Sequence, residues 1–181
     1  MSVTVVYPSA GHHLKDAGAT YGGRQENKET IVFRNLLVGE LNKLGIKTIT
    51  DKDSQTNQEY QNSIKPGNGS VVLDIHFNAG VSTATGTECF IASGASPQSR
   101  EMAGEICKKA SDIMGINNRG VKVENQSQHG RIGILHTKAG ISVLWEICFI
   151  SNPNDMAKYD THRDELVKEI AKICKKFDDL I

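Results

Sequence analysis

The chain is short of several things at once. Its 181 residues carry no excess of either charge, with 21 Lys+Arg against 21 Asp+Glu, so no strong field marks it for nucleic acid or an anionic membrane. No apolar run approaches the roughly 20 residues needed to cross a bilayer. The opening Met1-Ser2-Val3-Thr4-Val5-Val6-Tyr7 has neither a basic start nor a long apolar core, and no secretory leader is expected in it. Cysteine is scarce: Cys89, Cys107, Cys148 and Cys174 lie far apart, with no Cys-x-x-Cys pair. Such thiols read as small hydrophobes in the core rather than as a disulfide framework, which implies a reducing compartment. No repeat, linker or low-complexity tract divides the chain. What remains is 38% hydrophobic and 23% charged, the composition of a soluble globular protein. One domain over residues 1–181 is expected, with no separate second module.

The stretch from Val71 to Gly80, VVLDIHFNAG, is the most informative. An apolar run bounded by turn residues reads as a buried strand. Its last residues carry His76 and Asn78 where the strand would emerge into a loop, the edge at which α/β sheets bind ligands. A second apolar run, Ile141 to Ile150, is interrupted by Glu146. An ionised carboxylate buried without a partner is costly, so Glu146 is expected beside a cation, a donor or a metal, near a strand end. A structural salt bridge is the plainer alternative.

Around these two strands the periodicities give an α/β order. A strand from Val3 to Tyr7 leads into a long polar loop, Pro8 to Gly23, that holds His12, His13 and Asp16; a loop of this length in a compact domain is usually functional or disordered. A helix is expected from about Glu26 to Leu44, with Phe33, Leu37, Leu41 and Leu44 as its stripe, widened by Ile31, Leu36 and Val38, and Gly45 as its stop. Further strands are expected at Ile46–Thr50, Gly86–Ile91, Val121–Val123 and Ile132–Leu135. Helices are expected at Gln55–Lys65, at Pro97–Met114 and from about Arg163, the last with Leu166, Ile170, Ile173, Phe177 and Leu180 inward. The sequence Ser151-Asn152-Pro153-Asn154-Asp155 reads as a break. Strands alternating with helices imply a single-domain, mostly parallel twisted sheet with helices on both faces.

That order can bring His12 or His13, His76 and Glu146 to one sheet edge, with Glu26 able to reach it. Two histidines, a carboxylate and an open position describe a catalytic zinc site. The spacing alone is a weak signal, since no His-Glu-x-x-His is present. His129, His136 and His162 compete as ligands, and solvated surface positions suit them better.

These residues also carry a resemblance. Gly11-His12-His13-Leu14-Lys15-Asp16-Ala17-Gly18-Ala19 is similar to the Gly-His-Gly-Gly-x-Asp-x-Gly-Ala motif of zinc-dependent N-acetylmuramoyl-L-alanine amidases, the peptidoglycan hydrolases found as autolysins and phage endolysins. Asp74-Ile75-His76-Phe77-Asn78-Ala79 resembles that family's Ser-Ile-His-x-Asn-Ala, and Gly86-Thr87-Glu88 its Gly-x-Glu. Trp145 to Pro153 resembles Val-Glu-x-Gly-Phe-x-Ser-Asn-Pro. The motifs occur in the family's order and span residues 11 to 153.

The resemblance implies zinc held by His12, Glu26 and His76, with Glu29 as the fallback for Glu26. It implies Glu146 as the acid/base and Asp16, Asn78 and Glu88 as supporting residues. It implies cleavage between N-acetylmuramic acid and the L-alanine of the stem peptide. The chain departs from the motif at His13-Leu14, in place of two glycines, which makes His13 a rival ligand; the motif register favours His12. Cys148 stands where many members have glycine and Ile141 where many have proline. Two other functions fit the same residues: a zinc peptidase acting within the stem peptide, and a wall-binding module that has lost its chemistry. A peptidoglycan hydrolase without a leader would be a phage or prophage endolysin released by a holin, or a catalytic fragment of a secreted autolysin. A monomer is expected, with neither nucleic acid nor membrane insertion involved.

Overall fold

Side-chain alternation along two apolar strands decides the architecture. The computed structural model describes residues 5–181, so Val3 and Thr4 of the expected first strand lie outside the described residues. Strand β1 (Val5–Ala10) leads to a small hairpin, β2 (Thr20–Tyr21) and β3 (Arg24–Gln25), and then to helices α1 (Glu26–Lys43) and α2 (Asn57–Ser63). Strands β4 (Ser70–Asn78) and β5 (Thr87–Ile91), helix α3 (Pro97–Met114) and strand β6 (Asn118–Val123) follow. Two 3-10 turns (Glu124–Gln126 and Gly133–His136), strand β7 (Ile141–Phe149) and helix α4 (Pro153–Asp178) complete the order. The main sheet runs β1-β4-β7-β5-β6. Strands β1, β4 and β7 are parallel, β5 is antiparallel to β7, and β6 is parallel to β5. The sheet is mostly parallel, with one antiparallel seam.

Residues Val71, Leu73, Ile75 and Phe77 of β4 and Ile141, Val143, Trp145 and Ile147 of β7 point to one face. There they meet Phe33, Leu37 and Leu41 of α1, Met102 and Ile106 of α3 and Ile170 of α4 in the main core. The period of two sends Val72, Leu144 and Phe90 to the other face. Among the described residues they are covered by Tyr60 of α2, Ile64 at its C-cap, and Ile134 and Leu135 of the second 3-10 turn, with Ile132 and Ala139 partly buried beside them. Helices thus lie on both faces, but unequally. Asp74, His76 and Glu146 share the parity of Val72 and Leu144, and they line a cleft on the thinly covered face. All four cysteines are free and buried, as expected of thiols packed as hydrophobes.

Several boundaries differ from the sequence reading. Strand β1 continues through Pro8 to Ala10, because it is an edge strand, where proline is tolerated. The segment Ile46–Thr50 makes only one bridge to it, Thr48 with Val6. Val6 N donates to Lys47 O and Ile49 N to Val6 O. The next donor in that ladder would be Pro8, which has no N–H. The Thr50 hydroxyl donates to the Pro8 carbonyl at 2.7 Å, so a side chain serves that acceptor. The hairpin turns through Gly22 and Gly23, both at positive φ, the backbone that a type I′ turn requires. Leu36 and Leu44 are exposed rather than part of the α1 stripe.

Strand β6 begins at Asn118, and Gly133–His136 is a 3-10 turn where a strand was expected. Residues 151–155 break the strand as expected, since β7 ends at Phe149. Helix α4 nevertheless starts within that break, ten residues before Arg163, with Asn152 as its cap. The Asn152 Oδ1 accepts from the backbone of Asn154 and Asp155, at 2.9 and 3.2 Å, and Pro153 occupies the first turn, where its missing donor costs nothing. Leu180 lies beyond the helix and is exposed.

Candidate metal centre and catalytic cleft

The end of β1, the start of α1 and the end of β4 converge on one point. Gly11 carries the chain beneath the His76 ring: a Cβ there would fall 2.3 Å from His76 Cε1, so only glycine allows the approach. Its N–H donates to Ile75 O at 2.7 Å, and Thr30 Oγ1 donates to its carbonyl at 2.9 Å. His12 then adopts a φ of 67°, a left-handed conformation that costs a non-glycine residue about 1–3 kcal/mol. The tight turn is made at the histidine itself, whereas His13 and Leu14, standing where the resembling motif has glycines, keep negative φ.

His12 Nδ1 lies 2.8 Å from Asp16 Oδ2, and Asp16 Oδ1 accepts from Gly18 N at 3.1 Å. This leaves His12 Nε2 facing Glu26 Oε2, at 3.1 Å. Glu26 opens α1 and is buried. Its Oε2 accepts from Ala19 N at 2.9 Å and its Oε1 from Phe77 N at 3.1 Å. His76 Nδ1 lies 3.1 Å from Glu26 Oε1, and its Nε2 lies 3.0 Å from Asp74 Oδ2. Asp74 Oδ1 accepts in turn from Ser9 Oγ at 2.6 Å. One ligand atom from each of His12, Glu26 and His76 lies within 4.8 Å of the others.

Two imidazole nitrogens and a carboxylate oxygen turned to one point are the donor set of a zinc site with an open position. Asp16 and Asp74 hold the outward nitrogens, as carboxylates commonly do behind metal-bound histidines. Burial alone would raise the Glu26 carboxyl; hydrogen bonds with His12 and His76 overcome this and hold it well below the usual range. Burial would lower both histidines. The carboxylates of Asp74 and Glu26 outweigh it at His76, as Glu26 does at His12, and both sit above their ordinary value. The surroundings favour positive charge at this point.

Glu146 stands on β7 opposite His76 on one side and Glu88 on the other. Its Oε2 is sealed from solvent without a hydrogen-bond partner. Burial pushes its carboxyl up to about 7, against the pull of His76 and with the help of Glu26, Glu88 and Asp74. A carboxyl held near neutrality is suited to taking and returning a proton. Asn78 Nδ2 donates to Glu88 Oε1 at 2.6 Å, and Glu88 Oε2 accepts from Arg119 Nε at 2.7 Å and Lys122 Nζ at 2.5 Å. All these side chains line a cleft of about 740 Å³.

The remaining candidates lie apart from the cluster. Glu29 pairs with Arg24 at 3.0 Å, and Arg24 also binds Asp160. The His13 ring accepts from Lys15 N at 3.3 Å. His136 pairs with the buried Glu124 at 2.9 Å, His162 lies 3.8 Å from Glu165, and His129 lines the cleft wall. Sequence reasoning missed Asp74 and Ser9, although Asp74 stands two residues before His76 in a strand and so shares its face. It also missed Arg119 and Lys122, which sit in a polar edge strand with no periodic signal.

Residues 6–176 match the family model described as N-acetylmuramoyl-L-alanine amidase. Among solved structures the fold is similar to Cwp6 from Clostridium difficile, with a TM-score of 0.76 and 26% identity over 98% of this chain; the chain spans 29% of the length of that protein. It is similar to the N-acetylmuramoyl-L-alanine amidase from Clostridium difficile 630, with a TM-score of 0.80 and 22% identity, over 97% of this chain and 96% of that one. The catalytic domain of the CD27L endolysin targeting Clostridia Difficile is similar at a TM-score of 0.76 and 22% identity, over 96% of this chain and 97% of that one.

Proposed function

The chain belongs to the N-acetylmuramoyl-L-alanine amidases, which open the amide between N-acetylmuramic acid and the L-alanine of the peptidoglycan stem, and on that premise we propose how its residues do so. His12 Nε2, a Glu26 carboxylate oxygen and His76 Nδ1 would hold the zinc, and Glu146 is the single acid/base. The observation that carries this reading is the convergence of the three donors within 4.8 Å, across from a buried carboxylate oxygen without a partner. Zinc in such a site supplies Lewis acidity toward a carbonyl and makes water a nucleophile near neutral pH.

The chain's own residues do the rest. Asp16 and Asp74 fix the tautomer and direction of the two rings. Glu146 takes the proton of the attacking water and returns it to the nitrogen of the departing L-alanine. Asn78 and Glu88 tie β4 to β5 beneath the substrate. The domain over residues 1–181 works as a monomer on peptidoglycan, as a catalytic unit of endolysin or autolysin type. Likeness in fold to the CD27L catalytic domain supports the endolysin reading, and among the described residues no helix is long and apolar enough to cross a membrane.

Metal analysis joined to mass spectrometry of digested peptidoglycan is the test. A single zinc per chain and new L-alanine amino termini, with muramic acid intact, are expected. Amines released within the stem peptide would instead identify a peptidase.

A further inference from the structure

Acids and cations are segregated along the cleft. Glu26, Asp74 and Glu146 stand where His12 and His76 meet, whereas Arg119 and Lys122 line its β6 side. Glu88 is the sole acid these two cations touch among the described residues, Arg119 Nε at 2.7 Å and Lys122 Nζ at 2.5 Å, both on Oε2. Asn78 occupies Oε1. One carboxylate therefore faces two cations, and a positive charge is left over. Arg119 commits only its Nε. Its two terminal nitrogens have no hydrogen-bond partner among the described residues, and its guanidinium carbon stands 5.0 Å from the centroid of the Phe149 ring. The Glu88 carboxylate at Nε and the Phe149 ring beneath the guanidinium carbon hold the group in place. An arginine so held presents its terminal nitrogens as a fork that a carboxylate accepts bidentately.

Arg119 stands on β6, one strand beyond Glu88, and its Nε reaches back to the Glu88 carboxylate. The register of Glu88 thus serves as the reference for the distance to the metal centre. Glu88 is opposite Glu146, and Glu146 is opposite His76. At about 4.8 Å between neighbouring strands, the backbones of Glu88 and His76 are roughly 10 Å apart. An extended peptide covers about 3.5 Å per residue. The fork therefore meets a group within about three residues of the bond cleaved.

We infer that Arg119, with Lys122 beside it, is a carboxylate subsite that takes a free carboxylate of the stem peptide, within three residues of the scissile amide. The inference rests on the amidase reading for the identity of the peptide, and its test separates the two. The probes are N-acetylmuramoyl-L-Ala-D-Glu and the same compound with both carboxyl groups converted to carboxamides. The Arg119 side chain is 36% exposed, so solvent weakens the contact, and a KM for the acid about 10-fold below that of the diamide is expected for the wild type.

Arg119→Gln should bring the ratio of the two KM values to about 1. Arg119→Lys keeps a cation for Glu88 and removes the fork, so most of the preference should be lost while the Glu88 ion pair survives. Binding of the free dipeptide L-Ala-D-Glu and of its diamide, followed by NMR, reads the subsite without catalysis. Equal KM values in the wild type, a preference that survives Arg119→Gln, or equal binding of the two dipeptides would overturn the subsite. Arg119-dependent binding of L-Ala-D-Glu by a protein that cleaves neither muramyl peptide would leave the subsite standing and overturn the amidase mechanism.

Discussion

Glu146 is the residue at which stability and the proposed chemistry oppose each other. Its carboxyl is pushed from an ordinary 4.5 up to about 7 by burial, so in the metal-free protein the fold penalises its ionised form. The penalty is absent below about pH 4.5, where the group is protonated whether folded or unfolded. It grows as the pH rises and is complete above about pH 7. Glu146→Gln cannot ionise. In chelator it is expected to exceed the wild type in stability by about 1–3 kcal/mol more at pH 8 than at pH 4.5. Urea unfolding at the two pH values measures this. A difference that stays constant with pH would show that the carboxyl is not held in its neutral form.

At the scale of elements, what could be read from the sequence followed from how strongly each residue is tied to its neighbours. Strands β4 and β7 were legible because together they pack one face against three helices and the other face carries the charges. His76 and Glu146 stood out as interruptions of apolar runs for the same reason. The limits of Ile46–Thr50 were not legible, because its pairing ends at the missing N–H of Pro8, in a strand distant along the chain. Asp74 looked like one more polar residue until its place between Ser9 and His76 was known.

The start of α4 was legible in principle. Asn152 and Pro153 are a cap and a first-turn proline, but a neighbouring cluster of turn residues hid them. The cap gives a test. Replacing Asn152 with alanine removes two bonds to the helix N–H groups and the Nδ2 bond to Ala84 O and should lower stability by about 1–2 kcal/mol. Asn152→Asp keeps the cap acceptor, loses only the Ala84 bond and should cost less. A helix beginning near Arg163 would make the two variants alike.

For the whole molecule, an uneven distribution of helices sets the function. Three long helices bury one face of the sheet, and the thin cover on the other leaves a cleft over β4, β7 and β5. The cleft runs from a cluster that favours a cation to an arginine that favours an anion. A metal bound at the first position would tie the end of β1, the start of α1 and the end of β4 together, so its binding would stabilise the fold as well as the site.

The central claim is that the two buried glutamates divide the work: Glu26 holds the metal and Glu146 moves the proton. Zinc content and turnover of purified peptidoglycan, measured at one pH for Glu26→Gln and Glu146→Gln, test it most directly. Glu146→Gln should keep its zinc and lose at least about 10²-fold in rate, the lower bound for a positioned acid/base. Glu26→Gln should lose metal and activity together, since a neutral amide is a poor zinc ligand. Zinc retained by Glu26→Gln and lost from Glu146→Gln would exchange the two roles and contradict the account.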